Sequence, residues 1–144
     1  MIEKTLFIIK PDGFPKRKEI ISEISDHFNI EYLSELYFSE ALISELYFRD
    51  IGKSHYPALI EYIMESPCEL GIIKGENSIE KFFRFAGENS DPRKCKSNTL
   101  RFKYGKGLDK TKSGLYIIKN GIHRAESKMD SDKERSLLQR YGIL

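Results

Sequence analysis

A histidine near the C-terminal end of the chain has the neighbours that a nucleophilic histidine needs. His123 stands three residues after Asn120, and Glu134 follows on the next predicted helix. Neutral imidazole is abundant near pH 7 and can attack phosphorus through one ring nitrogen. A nearby carboxylate can fix its tautomer and stabilise the developing charge. The chain also contains His27 and His55, so residue type alone does not select His123.

A lysine follows the first apolar segment of the chain. The run over residues 5–10 ends in Lys10, and Pro11-Asp12-Gly13 then predicts a turn. A lysine at the rigid end of a buried strand can present a partly dehydrated charge to a phosphate or a ribose. The alternative is a lysine that simply extends from the strand end into water.

Two arginines flank an irregular segment that is rich in positive charge. Arg84 and Arg101 stand on either side of Ser90, and residues 93–112 contain eight basic residues and one acidic residue. Guanidinium groups bind phosphate oxygens in a bidentate manner. A solvated basic loop and a nucleic-acid surface remain alternatives, although Phe102 and Tyr104 are the only aromatic candidates for base stacking there.

The apolar spacing predicts the elements that must position these side chains. Strands are expected at residues 5–10, 30–38, 68–74 and 115–118, and His123 should follow the last of them. Helices are expected at residues 18–28, after Ser39, at Pro57, after Ser78 and after Ser127, with residues 87–114 irregular. This order predicts an α+β fold: a ferredoxin-like βαββαβ antiparallel sheet with helices on one face and an extra helical hairpin after the second strand.

The overall composition predicts a single domain spanning residues 1–144. The chain is 40% hydrophobic and 32% charged, and its formal net charge is +2, too small to indicate general affinity for nucleic acid or anionic membranes. Cys68 and Cys95 do not have the spacing of metal ligands, and Cys68 is predicted to be a core residue. The apolar run at residues 6–9 is too short for a signal peptide or a membrane span, so we expect a cytoplasmic protein.

Taken together, these segments resemble the nucleoside diphosphate kinase family. Residues 5–13 look like its first strand and lysine turn, and residues 120–127 look like its active-site signature, with Glu134 where its supporting glutamate falls. Tyr47 and the His55-Tyr56-Pro57 segment have the spacing of its active-site tyrosine and base-stacking pocket. Arg84, Ser90 and Arg101 fall in register with its phosphate-binding loop. The similarity covers nearly the whole chain.

The resemblance implies a ping-pong transfer of the terminal phosphate of a nucleoside triphosphate to a nucleoside diphosphate through a phosphohistidine. Magnesium would be bound mainly through the nucleotide phosphates, without protein metal ligands, and the protein would be a homo-oligomer, a hexamer or a tetramer. We expect no membrane or nucleic-acid partner. The implied catalytic residues are His123, Glu134, Lys10 and Tyr47. The implied substrate-binding residues are Lys10, His55, Leu59, Arg84, Ser90, Arg101 and Asn120.

Three positions depart from the family pattern. The family has phenylalanine where His55 stands, and glycine and serine where Arg124 and Ala125 follow the histidine. The serine normally supports the glutamate, so the surroundings of His123 are altered. The main rival interpretation is therefore a weakly active or inactive relative that binds nucleotides as a sensor. A ferredoxin-like nucleic-acid-binding module is a second rival, and it would require exposed aromatic residues on the sheet. The strand aromatics Phe7, Tyr32, Phe38 and Tyr116 are more simply interpreted as core residues.

Overall fold

The computed structural model describes residues 1–144, which form a four-stranded antiparallel sheet and a separate two-stranded sheet. The main sheet has the order β2-β3-β1-β6, from β1 (Ile2–Ile9), β2 (Asn29–Leu36), β3 (Cys68–Glu76) and β6 (Ile122–Arg124). The small sheet pairs β4 (Gly107–Lys110) with β5 (Tyr116–Lys119). The helices are α1 (Arg17–His27), α2 (Glu40–Leu46), α3 (Tyr56–Met64), α4 (Ser78–Ala86), α5 (Leu100–Tyr104) and α6 (Lys128–Arg140).

The central strand β1 is buried on both faces, because alternate side chains of a strand point to opposite sides of the sheet. Leu6 and Ile8 pack in one apolar cluster with residues of α2, α3 and α6. Phe7 and Ile9 pack in a second cluster with residues of α1, α4 and α5. The predicted α+β, ferredoxin-like fold is confirmed: α1 and α4 cover one face, and the extra hairpin α2–α3 covers the other together with α6.

Two of the predicted helix starts, at Ser39 and Ser127, are confirmed by their capping contacts. The Ser39 and Ser127 hydroxyls accept hydrogen bonds from the backbone N–H groups of Leu42 and Asp130, which satisfies donors that the first helical turn leaves free. The cap predicted at Ser78 is wrong by one residue. Asn77 precedes the helix in a left-handed conformation, while the Ser78 hydroxyl donates to the carbonyl oxygen of Glu3 at 2.9 Å.

The predicted fourth strand of the main sheet is wrong. Residues 115–118 overlap β5, which pairs only with β4, whereas the sheet is completed by β6, with Ile8 opposite His123. Gly121, at a φ of 81°, separates the two segments and redirects the chain. The three residues of β6 are too few to produce an alternating pattern in the sequence. His123 therefore lies within the last strand, not after it.

Two other expectations need correction. The segment 87–114, predicted to be irregular, contains α5 and β4. Tyr32 and Tyr116, interpreted as core aromatic residues, are exposed, while Phe7, Phe38 and Cys68 are buried. None of the helices combines the length and the apolar character that crossing a membrane requires.

Candidate active site

A cleft of about 860 Å³ collects nearly all of the side chains singled out in the sequence. It lies where the end of β1, the segment after α2, the start of α5, the small sheet, β6 and α6 converge. The sequence-predicted residues that line it are Lys10, Tyr47, His55, Leu59, Ser90, Arg101, Asn120, His123 and Glu134.

His123 and Glu134 form a hydrogen-bonded pair in this cleft. Nε2 of His123 lies 2.9 Å from Oε1 of Glu134, and the two side chains are only 13% and 14% exposed. A carboxylate can only accept, so Nε2 carries the hydrogen and Nδ1 keeps its lone pair. The pair thus leaves one ring nitrogen of His123 as a nucleophile.

The other two histidines lack this arrangement. His27 is exposed on α1 and lies against the ring of Phe85, away from the cleft. His55 is at the cleft, and its Nε2 is 2.7 Å from Oδ1 of Asp50, but its side chain is 41% exposed. The geometry therefore favours His123 among the three.

Tyr47 stands directly beside the histidine. Its ring meets that of His123 edge to face, with the ring centroids 5.7 Å apart, and Nζ of Lys10 lies 5.4 Å from the centre of the Tyr47 ring. Burial, with the negative charge of Glu134 adding to it, raises the pKa of Tyr47 far above its usual range. The phenol is consequently a permanent hydrogen-bond donor at neutral pH.

Lys10 is buried at the end of β1 and is held by Asn120. Its Nζ donates to Oδ1 of Asn120 at 2.8 Å, and the amide nitrogen of Asn120 donates to the carbonyl oxygen of Ser90 at 3.3 Å. Burial, with the positive charge of Arg101 adding to it, lowers the pKa of Lys10 to about 7. A lysine without a carboxylate partner in such a place is suited to an incoming anion.

Arg101 supplies a second buried cation from α5. Its Nε donates to the carbonyl oxygen of Ile122 at 3.0 Å, and one of its terminal nitrogens donates to that of Asn89 at 2.9 Å. Burial lowers the pKa of Arg101 to about 10. Neutral carbonyl oxygens orient the guanidinium without cancelling its charge, so a negative ligand still gains a full electrostatic interaction.

Apolar side chains form another wall of the cleft, and all but Leu59 were missed in the sequence. Leu59 of α3 is buried there, whereas Leu108 of β4 and Tyr116 and Ile118 of β5 are exposed at the cleft. Spacing along the chain could have indicated them, since residues 108–110 and 116–118 flank a turn that ends at Gly114, whose φ is 93°.

Arg84 is the predicted site residue that the structure does not bring to the cleft. It lies on the solvent face of α4, its side chain is 68% exposed, and it pairs with Glu80 one turn earlier at 2.8 Å. The physical reason is helical periodicity: Ile79, Phe82 and Ala86 occupy the buried face of α4, so residue 84 must point outward. Arg124, considered only as a departure from a pattern, lines the cleft instead.

The chain does not assemble a metal site of its own. No three histidine, cysteine, aspartate or glutamate side chains come together with the geometry that could hold a metal ion. The cleft instead combines buried cations with the His123–Glu134 pair. A divalent cation that acted here would need most of its oxygen ligands from a bound phosphate compound and from water.

Comparisons with known proteins agree with one another. A family profile described as nucleoside diphosphate kinase matches residues 3–140. A protein named nucleoside diphosphate kinase from Streptococcus pneumoniae is 31% identical over 140 residues, covering 94% of this chain and 98% of its own. Another of the same name from Pyrococcus furiosus is 30% identical over 141 residues, covering 94% of this chain and 82% of its own.

Solved structures show the same fold at lower identity. The nucleoside diphosphate kinase of Aquifex aeolicus has a TM-score of 0.79 and 24% identity, covering 96% of this chain and 95% of its own. That of Halobacterium salinarum, solved in complex with CDP, has a TM-score of 0.81 and 20% identity, covering 95% and 87%. With a matched profile over most of its length and relatives above 30% identity, the chain belongs to the nucleoside diphosphate kinase family.

Proposed function

We propose that this protein is a nucleoside diphosphate kinase that transfers the terminal phosphate of a nucleoside triphosphate to a nucleoside diphosphate through a phosphorylated His123. The observation that carries the proposal is the partly buried His123–Glu134 hydrogen bond, at 2.9 Å, in a cleft with buried cations. Family membership agrees with this activity.

Each half of the reaction exchanges one bond to phosphorus for another. In the first, the Nδ1 lone pair of His123 forms a bond to the terminal phosphorus of the triphosphate. The bond from that phosphorus to the bridging oxygen breaks, and the electron pair leaves with the nucleoside diphosphate. The imidazole becomes positively charged, and Glu134 on Nε2 stabilises that charge. In the second half, a terminal oxygen of another nucleoside diphosphate attacks the same phosphorus. The bond from phosphorus to Nδ1 breaks, its electron pair returns to Nδ1, and neutral His123 is restored.

The surrounding donors stabilise the charge that spreads over the transferring phosphoryl group. Lys10, Arg101 and the Tyr47 hydroxyl are positioned by the contacts described above, so little reorganisation accompanies the reaction. Magnesium would enter with the nucleotide and be bound through its phosphate oxygens. The residues of the cleft fit that role, since they offer the phosphates cations but no set of metal ligands.

The nucleoside would occupy the part of the cleft that the transferred phosphate does not. We assign the ribose hydroxyls to Lys10 and Asn120, and the base to the space between His55 and Leu59 and the exposed side chains of the small sheet. Stacking on such surfaces accepts any base with a π face. The Halobacterium salinarum relative was solved in complex with CDP, which makes CDP a suitable first acceptor to test.

A nucleotide sensor with little transferase activity is the second candidate function. One observation favours it: Glu134 accepts a hydrogen bond from His123 alone, because buried Ala125 has no hydroxyl to offer. A carboxylate with one partner orients the imidazole less firmly. The retained donors around His123 favour the kinase.

A homo-oligomer, hexameric or tetrameric, and a cytoplasmic location stay predictions. The strand β2 is an unpaired edge of the main sheet, and Tyr32 and Leu33 on it are exposed. Such an edge is a surface through which further chains can pair. Light scattering after size-exclusion chromatography measures the subunit number, and cell fractionation reports the compartment.

Incubation with ATP labelled at the terminal phosphate, in the presence of magnesium, tests the proposal. We expect one label per chain that is lost in acid, is stable in base and is transferred to ADP or CDP on their addition. His123→Gln should remove the label, whereas His27→Gln should retain it. Nucleotide binding without any label in the wild-type protein would favour the sensor.

A further inference from the structure

Arg124 occupies the cleft immediately beside the proposed nucleophile. It follows His123 in β6, is only 5% exposed and lines the same cleft. Its guanidinium stacks on the ring of Phe83 in α4, with its central carbon 4.3 Å from the ring centre. Consecutive strand residues point to opposite faces of a sheet, yet both reach the cleft because β6 is the edge strand.

Two backbone carbonyls fix the orientation of this guanidinium. Nε of Arg124 donates to the carbonyl oxygen of Gly87 at 3.1 Å, and one terminal nitrogen donates to that of Glu88 at 2.9 Å. The only carboxylate paired with Arg124 is Glu126, 3.5 Å from the other terminal nitrogen, and its side chain is 64% exposed. The positive charge is therefore held in place by neutral groups and is only weakly compensated.

Arg124 and Arg101 lie close enough to affect each other. The charge of Arg124 is, after burial, the main cause of the lowered pKa of Arg101. Gly87 lies between them: its carbonyl binds Arg124, and a Cβ on it would come within 2.9 Å of Cβ of Arg101. Two like charges that affect each other in this way are unfavourable in the free protein, and an anion that contacts both relieves the repulsion.

We propose that Arg124 is a phosphate-binding residue that acts with Arg101 on the terminal phosphate of a bound nucleoside diphosphate. This assignment rests on the proposed kinase function and deepens it, since it adds a contact that distinguishes a diphosphate from a monophosphate. It also gives the chain a second arginine at the site, while Arg84 stays outside the cleft.

A purely structural role is the alternative, in which Arg124 only ties β6 to the backbone at residues 87 and 88. The two roles differ in their effect on ligands. Loss of a structural contact should weaken the binding of all nucleotides to a similar extent. Loss of a phosphate contact should weaken the binding of ADP far more than that of AMP, which lacks the terminal phosphate.

The test is calorimetric measurement of the dissociation constants of ADP and AMP for the full-length protein and three variants. In Arg124→Gln the amide can still donate to a carbonyl, but the charge is gone. We expect the preference for ADP over AMP, which is the ratio of the two dissociation constants, to fall by at least about tenfold. Arg124→Lys should retain part of it, and Arg84→Gln, the matched control, all of it.

An equal loss of ADP and AMP affinity in Arg124→Gln, or an unchanged preference, would overturn the proposal. If this variant does not fold, judged by circular dichroism and thermal unfolding, the preference of Arg124→Lys decides: a value equal to that of the wild type counts against the phosphate contact. Because binding is measured without turnover, the result does not depend on whether His123 becomes phosphorylated. Failure of the labelling experiment and failure of this one are thus separate outcomes.

Discussion

Oε1 of Glu134 accepts from Nε2 of His123 at 2.9 Å, across the junction between β6 and α6. The contact has two effects, since it selects the tautomer and places a negative charge where the ring would become positive in the proposed phosphorylation. Both effects act on the transition state more than on nucleotide binding.

Glu134→Gln should therefore lower kcat while leaving nucleotide affinity nearly unchanged. A glutamine can hold the ring, but it does not balance the imidazolium charge. We expect kcat to fall by one to two orders of magnitude, about 1.4–2.8 kcal/mol of lost stabilisation. Steady-state kinetics and ADP calorimetry measure the two quantities. A comparable loss of ADP affinity would place Glu134 at the nucleotide itself.

Binding of ADP should be coupled to protonation of Lys10. With its pKa lowered to about 7 by burial, the free lysine is largely neutral at pH 8, and a bound phosphate favours the charged form. ADP binding at pH 8 should then take up a proton, and affinity should fall as the pH rises from 7 to 9. Calorimetry in two buffers of different ionisation enthalpy measures the uptake. Lys10→Met should abolish it, whereas Lys112→Met, at an exposed position, should not.

The small sheet should contribute to binding of the base. Ile118 lines the cleft, and Leu115 is similarly exposed outside it. Ile118→Ser removes apolar surface from the proposed base site and should weaken ADP and CDP together, by about threefold to tenfold on the scale of a partly buried side chain. Leu115→Ser is the matched control and should leave both dissociation constants unchanged. Equal effects of the two substitutions would indicate that the base binds elsewhere.

Gly71 should be a stability-determining residue of the core. It lies opposite Phe7 in the main sheet, and a Cβ there would come within 2.1 Å of the Phe7 ring. Gly71→Ala should lower the free energy of unfolding by about 1–3 kcal/mol, the usual cost of overpacking. Gly75→Ala, in the same strand but with open space around it, is the control for urea titration. A stable Gly71→Ala protein would mean that Phe7 can adopt another rotamer at low cost.

The main architecture could be predicted from the sequence because the signals for it depend on neighbouring residues and extend over whole helices and strands. The capping serines Ser39 and Ser127 and the apolar stripes of the helices act within a few residues, and the structure agrees with them. The short strand β6 gave no such signal, since three residues cannot display a period. Its place in the sheet depends on pairing with β1, more than a hundred residues earlier.

The sequence predicted which residues belong to the candidate site better than it predicted where their side chains point. Lys10, Asn120, His123 and Glu134 were identified by type and spacing, and they meet in one cleft. Arg84 was placed by register along the chain, but the direction of a helical side chain depends on which face of α4 is buried. Arg124 was overlooked as a binding residue because its role depends on the backbone of Gly87 and on the ring of Phe83, which are distant in sequence.

The position of His123, the proposed nucleophile, on the short strand β6 has a consequence for synthesis of the protein. His123 pairs with Ile8 of β1, which is synthesised long before β6, and Glu134 belongs to the helix that follows β6. Domains fold as units during translation, so β1, β2 and β3 can associate well before the active site exists. A chain interrupted before α6 would retain much of its core yet lack the Glu134 carboxylate. The proposed active site is therefore completed only after α6 has been synthesised.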